Sequence, residues 1–363
     1  MAQIASIPSR STTPAQFELG IGADLPAAAT ELMATHEAVG RQLGRDFARH
    51  GLTPPIQHLH AGSPLLLGWQ AGRAVFGARR GGPRGHARQW LMLRTHAWSR
   101  GRSFEELRVT PQFLQSIDTE HCPITRQALS DGGEHARSID RIRDDAGYAA
   151  GNLAVMSQAA NRAKGERSFE QLQAAAQSLS AGPITSMGGL DADAWQRLAV
   201  LASFVTELPH ETAAQLPLVV LPPNRIQMFN PIQALQALLT REIARAGWSQ
   251  RLARLEALLP ATCRADFNRF LLALAPRGLE VAKLDHAQAV RWALEDAWRQ
   301  PLLLKRWSRF ALQLDQAQAE ALVQQAAALG LGGVLWQHHE DDIAREGWAL
   351  ERRGYSSAAL AWH

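Results

Sequence analysis

Residues 122–165 read CPITRQALSDGGEHARSIDRIRDDAGYAAGNLAVMSQAANRAKG and contain the most informative succession of elements in the chain. The run Arg137–Ile142 predicts a short strand, and the run Leu153–Met156 predicts a second one. Between them, residues 144–152 predict a turn-rich loop, because Gly147 and Gly151 favour turns. The order of strand, loop and strand predicts a β-hairpin.

A helix is predicted directly after this hairpin. Ser157 belongs to the residue types preferred at helix N-termini, and the helix is expected to end at about Lys164. A helix laid across the hairpin would turn Asp140, at the end of the first strand, toward Asn161 in the first turns of the helix. The sequence therefore predicts that two oxygen-bearing side chains, twenty-one positions apart, meet on one face.

The same segment resembles a known family. It is similar to a bacterial and phage branch of the HNH-like (ββα-metal) endonucleases, whose core reads Ser-x-Asp-Arg-Ile, Gly-Tyr, Gly-Asn, an apolar strand and Ala-Asn-Arg-x-Lys. About a dozen positions match in order, within residues 122–165 only: Ser138, Asp140, Arg141, Ile142, Gly147, Tyr148, Gly151, Asn152, Ala160, Asn161, Arg162 and Lys164.

This resemblance implies metal-assisted hydrolysis of phosphodiester bonds in DNA. Asp140 and Asn161 would be the ligands of a single divalent ion, and Asn152 would brace the loop. Oxygen ligands suit Mg²⁺ or Mn²⁺. No zinc is expected, because Cys122 lacks the second cysteine that often braces HNH folds with zinc. The phosphate-binding residues would be Arg143, Arg162 and Lys164.

One position departs from the family pattern. Arg141 stands where HNH nucleases have the histidine that activates water, and a guanidinium stays protonated and cannot accept a proton. It can clamp a phosphate or stabilise developing negative charge. Either another residue supplies the base, with His135 and His121 as candidates, or the module binds nucleic acid without cutting it. The sequence leaves both alternatives open.

Basic residues are concentrated before this segment. Nine arginines, at positions 73, 79, 80, 84, 88, 94, 100, 102 and 108, face only two acids between Ala71 and Thr110. Such a local excess of positive charge suits a phosphate backbone. The run GARRGGPRGHAR (77–88) predicts a mobile basic loop, with Arg79 and Arg80 as phosphate contacts. The predicted partner is nucleic acid, with DNA favoured over RNA.

The fold prediction is a mainly α protein with a small ββα-metal (HNH-like) module and a helical C-terminal domain. Residues 1–118 form a helical and Arg-rich region, residues 119–182 the module with its following helix, and residues 183–363 the helical domain. Helices are predicted from Asp24 to near Gly51 and from Gln89 to Arg100. The C-terminal half carries no recognisable chemistry and is a candidate surface for a protein partner. A third hypothesis is therefore that the protein acts through protein–protein interaction.

Two further observations bound the function. No apolar run reaches the roughly 18–20 residues that span a bilayer, and the N-terminus lacks the charged-then-apolar order of a secretory signal. A cytoplasmic protein without a membrane partner is expected. Two cysteines, Cys122 and Cys263, are too few for a disulfide framework.

Overall fold

A computed structural model describes residues 27–77, 85–331, 336–339 and 354–357. The mainly helical prediction is confirmed, since the described residues contain fourteen α-helices and seven short strands. The helices are α1 (Ala27–Arg49), α2 (Pro64–Phe76), α3 (His86–Ser99), α4 (Pro111–Ile117), α5 (Gln158–Lys164), α6 (Phe169–Ala181), α7 (Ala192–Phe204), α8 (His210–Gln215), α9 (Pro231–Glu242), α10 (Trp248–Leu258), α11 (Arg264–Val281), α12 (Ala287–Ala297), α13 (Pro301–Ala311) and α14 (Gln316–Ala328). The strands are β1 (Arg137–Arg141), β2 (Leu153–Ser157), β3 (Ser186–Met187), β4 (Leu190–Asp191), β5 (Gln227–Met228), β6 (Trp336–His339) and β7 (Gly354–Ser357).

The predicted hairpin and helix are present between residues 137 and 164. β1 and β2 pair antiparallel, with Ser138 opposite Met156 and Asp140 opposite Ala154. Every residue of β2 is buried, which explains its apolar composition. The Ser157 side chain accepts a hydrogen bond from the backbone N–H of Ala160 and thereby starts α5.

The hydrophobic core is continuous across the predicted domain boundary near residue 182. One cluster of buried residues runs from Leu93 in α3 to Leu331 after α14 and includes the hairpin. Trp195, Trp298 and Trp307 are at most 1% exposed within this core. A smaller cluster joins α1, α2 and α3. The hairpin and the C-terminal helices are therefore packed as parts of one core.

The turn at residues 122–126, which begins the segment 122–165, is attached to α12. Arg126, in the left-handed backbone region at φ 59°, forms ion pairs with Glu295 at 3.2 Å and Asp296 at 2.8 Å. Cys122 Sγ accepts hydrogen bonds from the backbone N–H groups of Thr125 and Ser157. The turn thus links the end of the hairpin to a helix about 170 residues further along the chain.

Residues 62–88 are rich in glycine, which disfavours a helix, yet α2 forms within them at Pro64–Phe76. Two of these glycines are contact points rather than helix breakers. A Cβ on Gly68 would lie 1.9 Å from the carbonyl oxygen of Arg41, and a Cβ on Gly72 would lie 2.7 Å from Cβ of Ala48. They allow α2 to pack closely against α1. Residues 78–84 of the predicted basic loop lie outside the described residues.

The sequence contains the same capping-box pattern twice, in Ser103-Phe-Glu-Glu106 and in Ser168-Phe-Glu-Gln171, and the pattern predicts a helix start at each serine. Only Ser168 starts a helix. Ser168 caps α6 with Gln171 reaching back to its N–H. In the other copy, the backbone N–H of Glu105 donates to Tyr148 O at 3.0 Å, and the Glu105 carboxylate accepts from Ala150 N. Contacts with the hairpin loop therefore replace the helix predicted at Ser103.

No helix within the described ranges combines the length and the apolar composition that crossing a bilayer requires.

Candidate functional site

Helix α5 lies on the face of the hairpin that carries Ser138 and Asp140. Residues two apart on a strand share one face, and residues three apart on a helix share one side. Accordingly, Asn161 Nδ2 donates to Ser138 Oγ at 2.7 Å, and Lys164 Nζ lies 3.0 Å from Asp140 Oδ2. Asp140 and Asn161 therefore face the same side of the hairpin, but each contacts a different partner.

Lys164 is surrounded by oxygen atoms. It is 1% exposed, and its Nζ donates to the carbonyl oxygens of Arg141 at 2.8 Å and Gly165 at 3.2 Å. The Asp140 carboxylate is the third oxygen neighbour. Two of the three ammonium N–H groups therefore have internal acceptors, and the Asp140 oxygen is an ion-pair neighbour outside hydrogen-bond geometry. Because Lys164 is buried among these oxygens, it does not present its charge to a phosphate in solution in the way that the resemblance implies.

Asp140 is a buried carboxyl group. Burial raises its pKa to about 6, and the cations of Lys164 and Arg141 only partly oppose this rise. Removing a carboxylate from water disfavours the charged form unless ion pairs compensate fully. The ion pair with Lys164 therefore offsets only part of the cost of burying Asp140.

A pH dependence of stability follows from this raised pKa. Because the pKa of Asp140 in the folded protein lies above its ordinary value of 3.8, the folded state binds this proton more tightly than the unfolded chain. The contribution of Asp140 to stability is present below about pH 4 and is lost as the pH rises to about 6. We expect Asp140→Asn to gain about 2–3 kcal/mol relative to the wild type across this range.

Urea unfolding of both proteins at a series of pH values measures this difference. Other acids titrate in both proteins and cancel in the comparison. A difference that stays constant between about pH 4 and pH 7 contradicts the prediction.

The residues at this site do not fit a divalent metal ion in the observed arrangement. An ammonium has no lone pair with which to ligate a metal, and a dication bound to Asp140 would lie beside the buried Lys164 charge. Within the described ranges, no three His, Cys, Asp or Glu side chains are arranged to hold an ion.

Arg141 points away from this face and into the loop between β1 and β2. Its guanidinium donates to the carbonyl oxygens of Asp144 and Ala146 at 3.0 and 3.1 Å and pairs with the Asp144 carboxylate. It also lies 4.8 Å from the ring centroid of Tyr148. Arg141 is 7% exposed, so its contacts hold the loop together and do not face solvent.

Asn152 lies at the base of the same loop and is fully buried. Its Oδ1 accepts from the N–H of Arg143 at 2.9 Å, and its Nδ2 donates to the carbonyl oxygens of Arg143 and Gly147, both at 3.0 Å. The Arg143 side chain forms two hydrogen bonds with Asp145. The hydrogen bonds of Asn152 close the loop. The hydrogen bonds to Asp145 engage the guanidinium of Arg143, one of the residues predicted to bind phosphate.

The two candidate histidines lie away from Asp140. His135 is exposed and precedes β1 by two residues, whereas Asp140 is near the other end of that strand. His121 packs edge-on against Trp292, with 5.4 Å between ring centroids. The charged groups that act on Asp140 are Lys164, Arg141 and Asp144, and not these histidines.

Of the remaining predicted phosphate contacts, one is solvent-accessible. Arg162 is exposed on α5, and its side chain forms no ion pair within the described part of the chain. Arg79 and Arg80 fall outside the described residues.

Sequence reasoning missed the ion pair between Lys164 and Asp140. The necessary signal was in the spacing, because Asn161 and Lys164 are three apart on a helix while Ser138 and Asp140 are two apart on a strand. A helix placed so that Asn161 contacts Ser138 brings Lys164 to Asp140. The assignment of Lys164 to phosphate overlooked that second contact.

Comparison with family models, with curated proteins and with solved structures finds no match for this chain. The family resemblance therefore stands on the motif residues of the segment 122–165 alone.

Proposed function

We propose that this protein binds nucleic acid through a small HNH-like ββα module in which the Lys164 ammonium, and not a divalent ion, neutralises Asp140. The observation that carries the proposal is the buried ion pair between these two residues. Arg141, which stands in place of the base, supports it further, because its guanidinium is engaged inside its own loop. The motif resemblance supplies the class of partner.

Exposed arginines support a nucleic-acid surface beside the module. Arg162 projects from α5, and Arg88 is exposed near the start of α3. The start of α3 is tied to the hairpin, because His86 contacts Asp118 at 3.1 Å and Arg137 of β1 contacts the same carboxylate at 3.5 Å. Cations on adjacent elements can follow one phosphate backbone.

A second candidate is metal-dependent cleavage of DNA by the same module. It is favoured by Asp140 and Asn161 facing one side of the hairpin, and by the raised pKa of Asp140, since perturbed carboxyl groups are concentrated at functional sites. In that case the Lys164 side chain has to leave Asp140 when the ion binds. A third candidate, a protein-interaction role of the helical half, predicts no binding to nucleic acid.

The full chain is expected to bind duplex DNA in a salt-sensitive manner and to leave supercoiled plasmid intact in Mn²⁺. Replacing both Arg88 and Arg162 with alanine should weaken binding and reduce the slope of log affinity against log salt by about one for each lost phosphate contact. Fluorescence anisotropy with a labelled duplex measures the binding.

Arg254→Ala is the matched control, because Arg254 is an exposed arginine on α10, away from the module. Equal weakening by Arg254→Ala contradicts the proposed surface. Plasmid nicking that requires Mn²⁺ and disappears in Asp140→Asn establishes the second candidate instead. Absence of binding to both DNA and RNA at low salt leaves the interaction role.

A further inference from the structure

The second half of α11 is apolar on two opposite sides. One side packs into the core through residues that include Phe270, Leu274 and Val281. On the other side, Leu272 is 71% exposed and Leu279 is 62% exposed. A helix that is apolar all round is ordinarily enclosed by protein. The exposed leucines therefore mark a face of α11 that is uncovered within the described part of the chain.

Leu302 of α13 extends this face. The two helices run antiparallel, because Arg309 pairs with Asp266 at 3.1 Å and Arg306 Nη1 donates to the carbonyl oxygen of Arg269 at 3.0 Å. One helical turn before Arg306, Leu302 therefore comes level with the first exposed leucine of α11. It is 57% exposed. The apolar strip formed in this way consists of Leu272, Leu279 and Leu302.

Positive charge borders the apolar strip. Residues three or four positions apart on a helix are neighbours. The charged residues at these distances from the three leucines are all cations, namely Arg269, Lys283, Arg299, Lys305 and Arg306. The two lysines form no ion pair within the ranges that the structure describes. The nearby acids are already paired, Asp266 with Arg269 at 2.7 Å and Glu280 with Arg277 at 2.6 Å.

We propose that the apolar strip binds an amphipathic helix of a protein partner, with acidic residues beside the apolar anchors of that helix. Leu272 and Leu279 are two helical turns apart, roughly 10.5 Å along α11, which matches the spacing of i and i+7 anchors on a bound helix. The positive border selects acids on the partner, since complementary charges steer association and fix the register.

The same features disfavour other occupants of the strip. A second copy of this face would bring two positive borders together, and like charges across an interface are unfavourable. Helices that lie on membranes commonly present aromatic anchors, whereas all four aromatic residues of α11 and α13 are buried in the core. The strip lies on the helical half, so it is independent of the proposed nucleic-acid surface.

Two labelled peptides of three heptads test the proposal. Both carry leucine at the first and fourth positions of each heptad, and the flanking positions are glutamate in one and lysine in the other. By fluorescence anisotropy, the full chain should bind the glutamate peptide and not the lysine peptide. Leu272→Gln combined with Leu279→Gln should weaken this binding by about 10-fold or more, because glutamine keeps helix propensity and removes the apolar anchors.

Val75→Gln is the matched control, because Val75 is 77% exposed on α2 and its replacement should leave the affinity for the peptide unchanged. Circular dichroism verifies that the variants fold. The double leucine variant should bind duplex DNA as the wild type does, so the failure of either proposal is visible by itself.

Three results would overturn the proposal. The first is absence of binding to the glutamate peptide, or equal binding by the double leucine variant, which would mean that charge alone attracts the peptide. The second is leucine-dependent binding to vesicles of phosphatidylcholine and phosphatidylserine without binding to the peptide. The third is a dimer in sedimentation velocity that the double leucine variant dissociates, since the occupant would then be a second copy.

Discussion

Lys164→Met is expected to lower the free energy of unfolding at neutral pH by about 3–5 kcal/mol, the range for removal of one partner from a buried ion pair. Methionine fills the space of the lysine stem but leaves the Asp140 carboxylate buried without its cation. It also leaves the carbonyl oxygens of Arg141 and Gly165 without the ammonium that they accept from. Urea unfolding at about pH 7 measures the loss.

Substitution of the acidic partner, Asp140, should have a different effect on stability. Asp140→Asn removes the group whose ionised form is disfavoured by burial, and the Lys164 ammonium that remains keeps its two carbonyl acceptors, so we expect a smaller loss at neutral pH than for Lys164→Met. The double variant Asp140→Asn with Lys164→Met should recover most of the loss caused by Lys164→Met alone. Additive effects, with no recovery, would show that the two side chains do not interact in solution.

A surface ion pair of the same loop provides the control. Arg143 pairs with Asp145, whose side chain is 61% exposed. Arg143→Met should cost less than about 1 kcal/mol, as for other solvent-exposed pairs. A cost equal to that of Lys164→Met would mean that burial does not distinguish the two pairs.

Gly151→Ala is expected to lower the free energy of unfolding by about 2–5 kcal/mol. Gly151 has φ +96°, where a side chain costs about 1–2 kcal/mol. A Cβ at this position would also lie 2.6 Å from Cβ of Gln227, and forcing such contacts apart typically adds about 1–3 kcal/mol. The same approach allows Gln227 N to donate to Gly151 O at 3.0 Å.

The variant Gly133→Ala separates the conformational cost of a side chain at positive φ from the steric cost of a contact with Gln227. Gly133 has φ +73°, but a Cβ there meets no atom within 4 Å, so we expect only the conformational cost of about 1–2 kcal/mol. Gln227→Gly removes the opposing Cβ, so in that background Gly151→Ala should cost only about as much as Gly133→Ala costs in the wild type. If the two alanine variants unfold at the same urea concentration, β5 does not pack against the hairpin loop as described.

The sequence was sufficient for those parts of the fold that local patterns specify. The hairpin and α5 could be predicted because Gly147 and Gly151 mark the loop and Ser157 caps the helix. The helix predicted at Ser103 was wrong, because the buried contacts of Glu105 with Tyr148 and Ala150 override the capping pattern. Local helix propensity is overridden where tertiary contacts provide better hydrogen-bond partners.

The candidate site was predicted less completely than the fold. Its face was predicted from the spacing of Asp140 and Asn161, but its electrostatics were not, because they depend on the burial of Lys164. The contacts of Arg126 with α12 could not be anticipated either, since no local pattern relates residues about 170 positions apart. Long-range ion pairs of this kind depend on the packing of the whole chain.

The attachment of Arg126 to Glu295 and Asp296 has a consequence for biosynthesis. At typical translation rates of about 5–20 residues per second, the ribosome needs on the order of 10–30 seconds to extend the chain from the turn to α12. During that interval the nascent hairpin has α6 and α7 of its core but lacks the ion-pair partners of Arg126. This region is therefore expected to complete its fold only after α12 has been synthesised, since contacts between distant parts of a chain form slowly.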